Sequence, residues 1–170
     1  MKKNSVSVIL ICLIVVFSLS CKKDNNNVPV QIQLTDNPAA YEEVNVEITG
    51  IEVKVSKDTA HWYSLQTNQN IYNLLTLQNG ITTTLAQGEV PKSIIKEVRF
   101  ILGTHNTIKV NGQIYPLETP SAEDSGLKIK IDKDLQLTLN SFILDFDANL
   151  SIKEESNNVY KLRPVIKYKL

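Results

Sequence analysis

Apolar residues recur at every second position over most of the chain after residue 27, and this period constrains the fold more than any other feature. Successive side chains of a strand point to opposite faces, so a period of two predicts half-buried β-strands. The turn-forming sequence Thr-Asp-Asn-Pro at residues 35–38 closes the first row. The rows are Val28, Val30, Ile32 and Leu34; Val44, Val46 and Ile48; Ile51, Val53 and Val55; Leu127, Ile129 and Ile131; Leu135, Leu137 and Leu139; and Phe142, Leu144 and Phe146.

Two local sequences predict how these strands bend and turn. The apolar phase flips at Thr49-Gly50. Because a strand that keeps one face inward cannot change parity without an inserted residue, we predict a β-bulge at Gly50. Asn111-Gly112 lies between two short apolar runs and favours the positive φ angles of a type I′ hairpin turn. Residues 94–102 are more continuously apolar, which is typical of a central strand buried on both faces.

The number of strands sets the fold class. Further strands are predicted at residues 62–65, 71–77 and 159–170, and at most a short turn of helix lies within residues 76–85 or near Pro91. About ten strands need two packed sheets, because a single sheet would leave one apolar face bare. We therefore predict an all-β fold, a two-sheet antiparallel β-sandwich.

The N-terminus has a different character. Lys2 and Lys3 precede an apolar run at residues 6–19, and a run of about 14 residues suits the hydrophobic region of a signal peptide. A permanent membrane anchor is the less favoured alternative, because a membrane-spanning helix needs about 20 apolar residues. Ser20 has the small side chain that precedes a signal-peptide cleavage site, and the chain turns polar after Cys21.

Residues 18–21, Ser-Leu-Ser-Cys, resemble a lipobox, the cleavage motif of bacterial lipoproteins, although the leucine lies two residues before the cysteine instead of three. The resemblance implies that the Cys21 thiol is acylated and that Cys21 becomes the first mature residue. Cys12 lies in the segment to be removed, so the mature chain has one thiol and no internal disulfide. Residues 22–24, Lys-Lys-Asp, are similar to a signal that directs lipoproteins to the outer face of the outer membrane.

The chain is thus expected to comprise a signal peptide at residues 1–20, a lipidated tether at residues 21–27 and a β-sandwich domain at residues 28–170. We expect the protein in the cell envelope, held to the lipid bilayer of the outer membrane through acylated Cys21, with surface exposure as a further expectation. The 18 basic and 18 acidic residues balance, and no basic stripe indicates a nucleic-acid partner.

A second resemblance extends over most of the mature chain. It rests on separated motifs, which in order are LTDNP at residues 34–38, Tyr41, VNV at 44–46, WYSL at 62–65, NLL at 73–75, LQNG at 77–80, VRF at 98–100, PS at 120–121, GLK at 126–128, LDFDA at 144–148 and YKLRPV at 160–165. With these motifs the chain resembles the exported domain of unknown function 4382. This resemblance implies a transthyretin-like or immunoglobulin-like β-sandwich on bacterial envelope lipoproteins and implies no known activity.

The sequence contains no catalytic constellation. It has no Gly-x-Ser-x-Gly, no His-Glu-x-x-His and no glycine-rich phosphate loop. His61 and His105 are far apart and lack the spacing of metal ligands. Ser64 and His61 fall on opposite faces of their strand by parity. We therefore predict that the protein is not an enzyme.

Three aspartates form the first candidate site. Asp145 and Asp147 share a predicted strand face, opposite Leu144 and Phe146, so the pair is expected to point away from the packed side. Together with Asp36 they could supply oxygen ligands for Ca²⁺. The alternatives are a solvated face or aspartates that bond backbone amides in turns, and we favour these because residues 36–38 already have turn chemistry. No metal or cofactor is firmly predicted.

Trp62 and Tyr63 form the second candidate site. Their rings could line a platform for a sugar, but burial of Trp62 in the core is the favoured alternative. Two functions remain open. The first is a surface binding or adhesion module for a glycan or a protein. The second is a structural or accessory subunit of an envelope complex, in which edge strands pair with another protein.

Overall fold

The computed structural model describes residues 26–119, 126–155 and 158–169, and the alternating rows lie there in two packed sheets. The signal peptide, Cys21, most of the tether and the Pro120-Ser121 motif lie outside the described residues. The strands are β1 (Asn27–Thr35), β2 (Glu43–Val55), β3 (Asp58–Ser64), β4 (Gln66–Thr67), β5 (Asn70–Asn73), β6 (Thr83–Pro91), β7 (Ile94–Leu102), β8 (Thr107–Val110), β9 (Gln113–Glu118), β10 (Leu127–Asp134), β11 (Asn140–Phe146), β12 (Ile152–Glu155), β13 (Val159–Leu162) and β14 (Ile166–Lys169).

The smaller sheet has the order β14-β11-β1-β6-β4 and the larger sheet the order β10-β7-β2-β8-β9-β13-β12. Strands β3 and β5 also pair with β2, outside this linear order. The predicted all-β two-sheet sandwich is confirmed. The expectation of purely antiparallel sheets is wrong at two places, since β1 pairs with β11 and β13 pairs with β9 in parallel. Long stretches of chain separate the partners, which is the connection that a parallel pair requires.

The core lies between the sheets and is built from the predicted rows. Every apolar row residue of β1 and β2 is at most 1% exposed. Phe100 from the larger sheet and Phe146 from the smaller sheet are the largest fully buried side chains. Because both sheets alternate inward and outward residues, one apolar face from each is enough to close the core.

The predicted bulge and hairpin are confirmed. The pairing of β2 with β7 shifts register between Ile48 and Gly50, and residues on both sides of the shift remain buried. The Thr49 hydroxyl donates to the carbonyl of Ile101 at 3.1 Å beside the bulge. At the hairpin between β8 and β9, Asn111 has φ 51° and Gly112 has φ 77°, as a type I′ turn requires.

The row of Leu135, Leu137 and Leu139 is not a strand. Only Leu135 is buried, and the other two leucines are 71% and 57% exposed. Residues 135–139 connect β10 in the larger sheet to β11 in the smaller sheet. A chain that crosses between sheets leaves the hydrogen-bonding ladder, so the period of two has no strand to support it there.

Two further strand predictions are corrected. The single strand predicted at residues 159–170 is replaced by two strands in different sheets, β13 and β14, because the chain breaks near Pro164, which lacks a backbone donor. Residues 71–77 are strand only as far as Asn73 and continue as a 3₁₀ helix, Leu74–Leu77. Thr76 and Leu77 therefore lie in a helical turn, whereas Thr83–Pro91 is strand throughout.

Strand β7 is central, as predicted, but it is fully buried on one face only. Its buried residues are Ile95, Val98 and Phe100, and the other residues of the strand are half-buried. The spacing from Ile95 to Val98 is odd because the pairing with both neighbours shifts register around Lys96. The continuous apolar appearance of this segment thus comes from a phase change within a strand that has one inward face.

The sandwich has two distinct ends. One, the tether end, comprises Asn26 and the loops of residues 56–57, 92–93 and 135–139; there Lys92 N donates to Asn26 O at 2.8 Å and Leu135 N donates to Ser93 O at 2.9 Å. The other, the far end, comprises residues 36–42, 78–82 and 147–151; there Asp36 N donates to Leu77 O at 3.1 Å. A nine-residue strand, β1, joins the two ends and spans about 30 Å.

The structure separates two glycines whose replacement by alanine should differ in cost. Gly126 has φ +82°, and an added Cβ would lie 2.8 Å from the carbonyl oxygen of Phe100. Gly50 has no positive φ, and its added Cβ would meet the Ile101 side chain at 3.1 Å, which can shift. We expect Gly126→Ala to lower the free energy of unfolding by about 1–3 kcal/mol and Gly50→Ala by less than about 1 kcal/mol. Urea denaturation of both variants measures the difference, and equal losses would contradict it.

Candidate functional site

The three candidate aspartates lie together at the far end. Asp36 directly follows β1. Asp145 lies on β11 and is the register partner of Thr35, the last residue of β1. Asp147 caps the short helix α1 (Ala148–Ser151) that follows β11. None of the three carboxylates lies on an open face, because Asp145 and Asp147 are only 8% exposed and Asp36 is 2% exposed. The ends of β1, β11 and β14 and the first turn of α1 surround these carboxylates.

Two of the carboxylates already serve the backbone. Oδ1 of Asp36 accepts a hydrogen bond from Ala148 N at 2.9 Å, and its Oδ2 accepts from the Gln78 side chain at 3.4 Å. Oδ1 of Asp147 accepts from Leu150 N at 2.9 Å, which satisfies a free amide at the start of α1. These contacts match the interpretation of aspartates that bond backbone amides.

Burial changes the proton affinity of two members of the cluster. Removal from water raises the pKa of Asp36 to about 6, and the negative charges of Asp145 and Asp147 add to this effect. The hydrogen bonds from Ala148 and Gln78 oppose it. Burial also raises the pKa of Asp145. Asp36 and Asp145 therefore have a raised pKa and bind protons more readily than free aspartates do.

Asp145 has the least complete set of partners. Its Oδ1 is buried and accepts no hydrogen bond from the part of the chain that the structure describes. Lys169 and Lys167 on the neighbouring strand β14 attract its charge, and with the Asn37 side chain they lower its pKa against the larger effect of burial. The Asp145 carboxylate is thus attracted by the positive charges of Lys167 and Lys169 and accepts few direct hydrogen bonds.

The hydrogen bonds of these carboxylates bear on the calcium hypothesis. Across residues 26–119, 126–155 and 158–169, no group of three histidine, cysteine, aspartate or glutamate side chains is placed to hold a metal ion. The Oδ1 atoms of Asp36 and Asp147 face backbone amides, so a cation would have to compete with those donors.

Trp62 and Tyr63 lie on opposite faces of β3 and do not form a joint platform. Tyr63 pairs with Val53 and packs against the core. Trp62 is half-buried outside the core, with Lys54 Nζ 4.6 Å and Arg99 Cζ 4.4 Å from the centroid of its ring. Core burial of Trp62 is therefore also wrong, and a sugar would have to compete with these two cations for contact with the ring.

The polar residues around this tryptophan form a network on the outer face of the larger sheet. The Arg99 guanidinium binds the Glu52 carboxylate, which also accepts a hydrogen bond from Ser64 Oγ at 3.1 Å. Ser64 is thus turned toward Glu52, while Nδ1 of His61 lies 2.6 Å from Asp58 Oδ2. Ser64 and His61 therefore have different partners, as their opposite strand parity predicts.

The second histidine has its own carboxylate. His105 Nδ1 lies 2.9 Å from Glu47 Oε2, and that oxygen also accepts from the His105 amide at 2.9 Å. The hydrogen bonds from His105 lower the pKa of Glu47. Neither carboxylate partner, Asp58 of His61 or Glu47 of His105, was predicted from the sequence. The Asp58–His61 pair has a spacing of three that could have indicated it, whereas Glu47 and His105 are 58 residues apart with no shared motif.

Cys21 and the proposed acylation lie outside the described residues. Within the described part of the chain, no helix has the length and apolar character needed to cross a bilayer.

Asp36→Asn should remove a pH-dependent loss of stability. The folded protein holds the Asp36 proton up to about pH 6, above the usual value of 3.8, so this residue's favourable contribution is complete below about pH 4 and is lost as the pH rises through 6. The asparagine cannot ionise, so we expect it to raise the free energy of unfolding by about 2–3 kcal/mol at pH 8 and by little at pH 4.

Urea denaturation at several pH values between 4 and 8 measures this difference. Asp134→Asn is the matched control, because Asp134 is exposed. A variant that tracks the wild type at every pH, or one that is less stable at pH 8, would contradict the expectation.

The calcium hypothesis has a separate test. Because backbone amides occupy Asp36 and Asp147, we expect identical melting temperatures in millimolar calcium and in excess chelator. A site with an affinity of about 10 μM would instead add about 2.7 kcal/mol in millimolar calcium. A rise of several degrees that chelator reverses and Asp147→Asn reduces would establish the metal site.

Comparison with known proteins assigns the fold to a family. No curated protein and no solved structure matches the chain significantly. A sequence family described as domain of unknown function DUF4382 matches residues 27–164, which span the chain from the start of β1 to the residues just before β14. The predicted family resemblance is confirmed, and the chain belongs to the DUF4382 family.

Proposed function

We propose that this protein is a non-catalytic envelope lipoprotein, anchored in the outer membrane through acylated Cys21, whose β-sandwich binds another protein with its far end. The observation that carries the proposal is that the tether and the candidate carboxylates lie at opposite ends of the sandwich. The described chain begins at Asn26 at the tether end, and the candidate carboxylates lie about 30 Å away at the other end of β1. A lipid on Cys21 would therefore hold one end at the membrane and present the other.

The far end has features of a protein-binding surface. Ile81 is 56% exposed and Leu150 is 46% exposed. Both belong to segments that bond to the end of β1, since Thr35 donates to Ile81 O at 2.9 Å and Ala148 donates to Asp36. Exposed apolar residues beside partly satisfied polar groups are typical of contact surfaces between proteins. A protein ligand is favoured over a glycan because a sugar would have to compete with two cations for the Trp62 ring.

The accessory-subunit alternative receives less support from the sheet edges. Edge strand β14 has four residues and exposes Lys167 and Lys169, and edge strand β10 exposes Lys128 and Lys130. Lysines on an edge strand, and a short length such as that of β14, discourage the addition of a strand from another chain. We therefore assign binding to the loops of the far end rather than to strand pairing.

The anchoring step is tested by Cys21→Ser. We expect loss of fatty-acid labelling and release of the protein from the membrane fraction, because Cys21 is the only cysteine after residue 12. Cys12→Ser is the matched control and should leave labelling and fractionation unchanged. Labelling that persists in Cys21→Ser would refute the lipoprotein assignment.

The binding step is tested in the native envelope with a photoreactive amino acid at Thr82, an exposed far-end residue, or at Lys128, an exposed residue of β10. We expect a discrete protein adduct from position 82 that is absent from position 128. Adducts of equal yield at both positions would contradict a far-end site. The absence of protein adducts at position 82, combined with binding of purified envelope polysaccharide, would replace the protein ligand by a glycan.

A further inference from the structure

Two leucines project into solvent at the tether end. Leu137 and Leu139 are 71% and 57% exposed, and Thr138 between them is also exposed. Leu135, in the same loop, is 2% exposed and closes the core. The loop thus divides its leucines, with one turned inward and two turned outward. An isolated exposed leucine needs no explanation, but two in one loop form a small apolar surface.

The loop is held in this shape by a buried asparagine. Asn140 is 8% exposed, and its Oδ1 accepts from Gln136 N at 2.8 Å. Its Nδ2 lies 3.0 Å from Pro29 O, 3.0 Å from Gln136 O and 2.9 Å from Thr138 O. One side chain therefore closes the loop and fastens it to β1. These hydrogen bonds fix the shape of the loop, and the exposure of Leu137 and Leu139 follows from that shape.

The same asparagine fixes where the leucines lie relative to the tether. Asn140 is the register partner of Val30, four residues after Asn26. Only five peptide bonds separate Asn26 from Cys21, so even an extended chain reaches no further than about 17 Å. If Cys21 carries its lipid, the tether end must stay close to the headgroups of the bilayer.

The loops beside the leucines carry positive charge. Residues 56–57 and 92–93 contribute exposed Lys57 and Lys92, and these described loops together with residues 135–139 contain no acidic residue. Both lysines line an open concavity of about 380 Å³ together with Leu135 and Asp134. The tether adds Lys22 and Lys23, which Asp24 follows. Lysines around exposed leucines match the layers of a phospholipid surface, with phosphates outside and acyl chains within.

We propose that the loop of residues 135–139 docks on the lipid bilayer, with Leu137 and Leu139 inserted below the headgroups and Lys57 and Lys92 on the lipid phosphates. This inference rests on the acylation of Cys21 proposed above. The lipid supplies attachment, and the loop supplies a second contact that fixes the orientation of the sandwich.

The test uses the full acylated protein in vesicles of phosphatidylethanolamine and phosphatidylglycerol. A cysteine introduced as Thr138→Cys carries an environment-sensitive fluorophore and is the only free thiol, since Cys21 is acylated and Cys12 is removed. Thr82→Cys is the matched control, because Thr82 is an exposed threonine beside exposed Ile81 at the far end. Quenchers attached to the lipid chains report depth, and iodide reports exposure to water.

We expect lipid quenchers to reduce the emission at position 138 several-fold more than at position 82, and iodide to show the reverse. Adding Leu137→Gln and Leu139→Gln should return position 138 to the behaviour of position 82. Each leucine that loses burial weakens binding to the apolar layer by about tenfold or more. An unchanged thermal melt confirms that the double variant is folded, as expected for exposed positions.

Equal lipid quenching at both positions in acylated, vesicle-bound protein would overturn the docking inference and leave the anchor intact. Shielding of position 138 from iodide without lipid quenching would also overturn it, because a second copy of the chain would then cover the leucines. Absence of acylation and of vesicle binding would refute the lipoprotein assignment, and the docking inference with it.

Discussion

Burial of the β1 row between the two sheets is the interaction on which the rest of the structure depends. With Val28, Val30, Ile32 and Leu34 turned into the core, the register of both neighbouring strands is fixed, since a shift by one residue would turn the row outward. The parallel partner β11 therefore begins beside Val30 and places Asp145 beside Thr35. The same pairing therefore fixes where the loop before β11 and the carboxylates at its end lie along the sandwich.

The two ends of the sandwich handle polar and apolar groups in opposite ways. At the far end, carboxylates are withdrawn from water, and this burial, more than their mutual repulsion, raises the pKa of Asp36. At the tether end, apolar side chains are pushed into water by the hydrogen bonds of Asn140. Both arrangements cost stability in an isolated domain. Sites that violate ordinary packing are where contacts with other molecules are expected.

The sequence was sufficient to predict the structure wherever a single rule determined it. The period of two placed the rows of β1 and β2 in the core, and the phase flip at Gly50 located the bulge. It failed for Leu137 because alternation cannot distinguish a strand from a loop fastened by side-chain hydrogen bonds. It failed for Asp145 because parity separates two faces but does not reveal that the chain after β1 covers the outer one. The break before β14 could have been predicted, since Pro164 cannot donate to a sheet.

The central position of β1 has a mechanical consequence. A ligand held at the far end and a lipid below Asn26 would pull on the sandwich along the direction of this strand. The hydrogen bonds from β1 to β11 and to β6 cross that direction, so force would load them together in shear rather than one at a time from an edge. The strand that leads toward the tether thus pairs with β6 from Asn27 onward and with β11 from Val30 onward. A sandwich loaded in this way would carry tension between its two ends without unzipping from an edge.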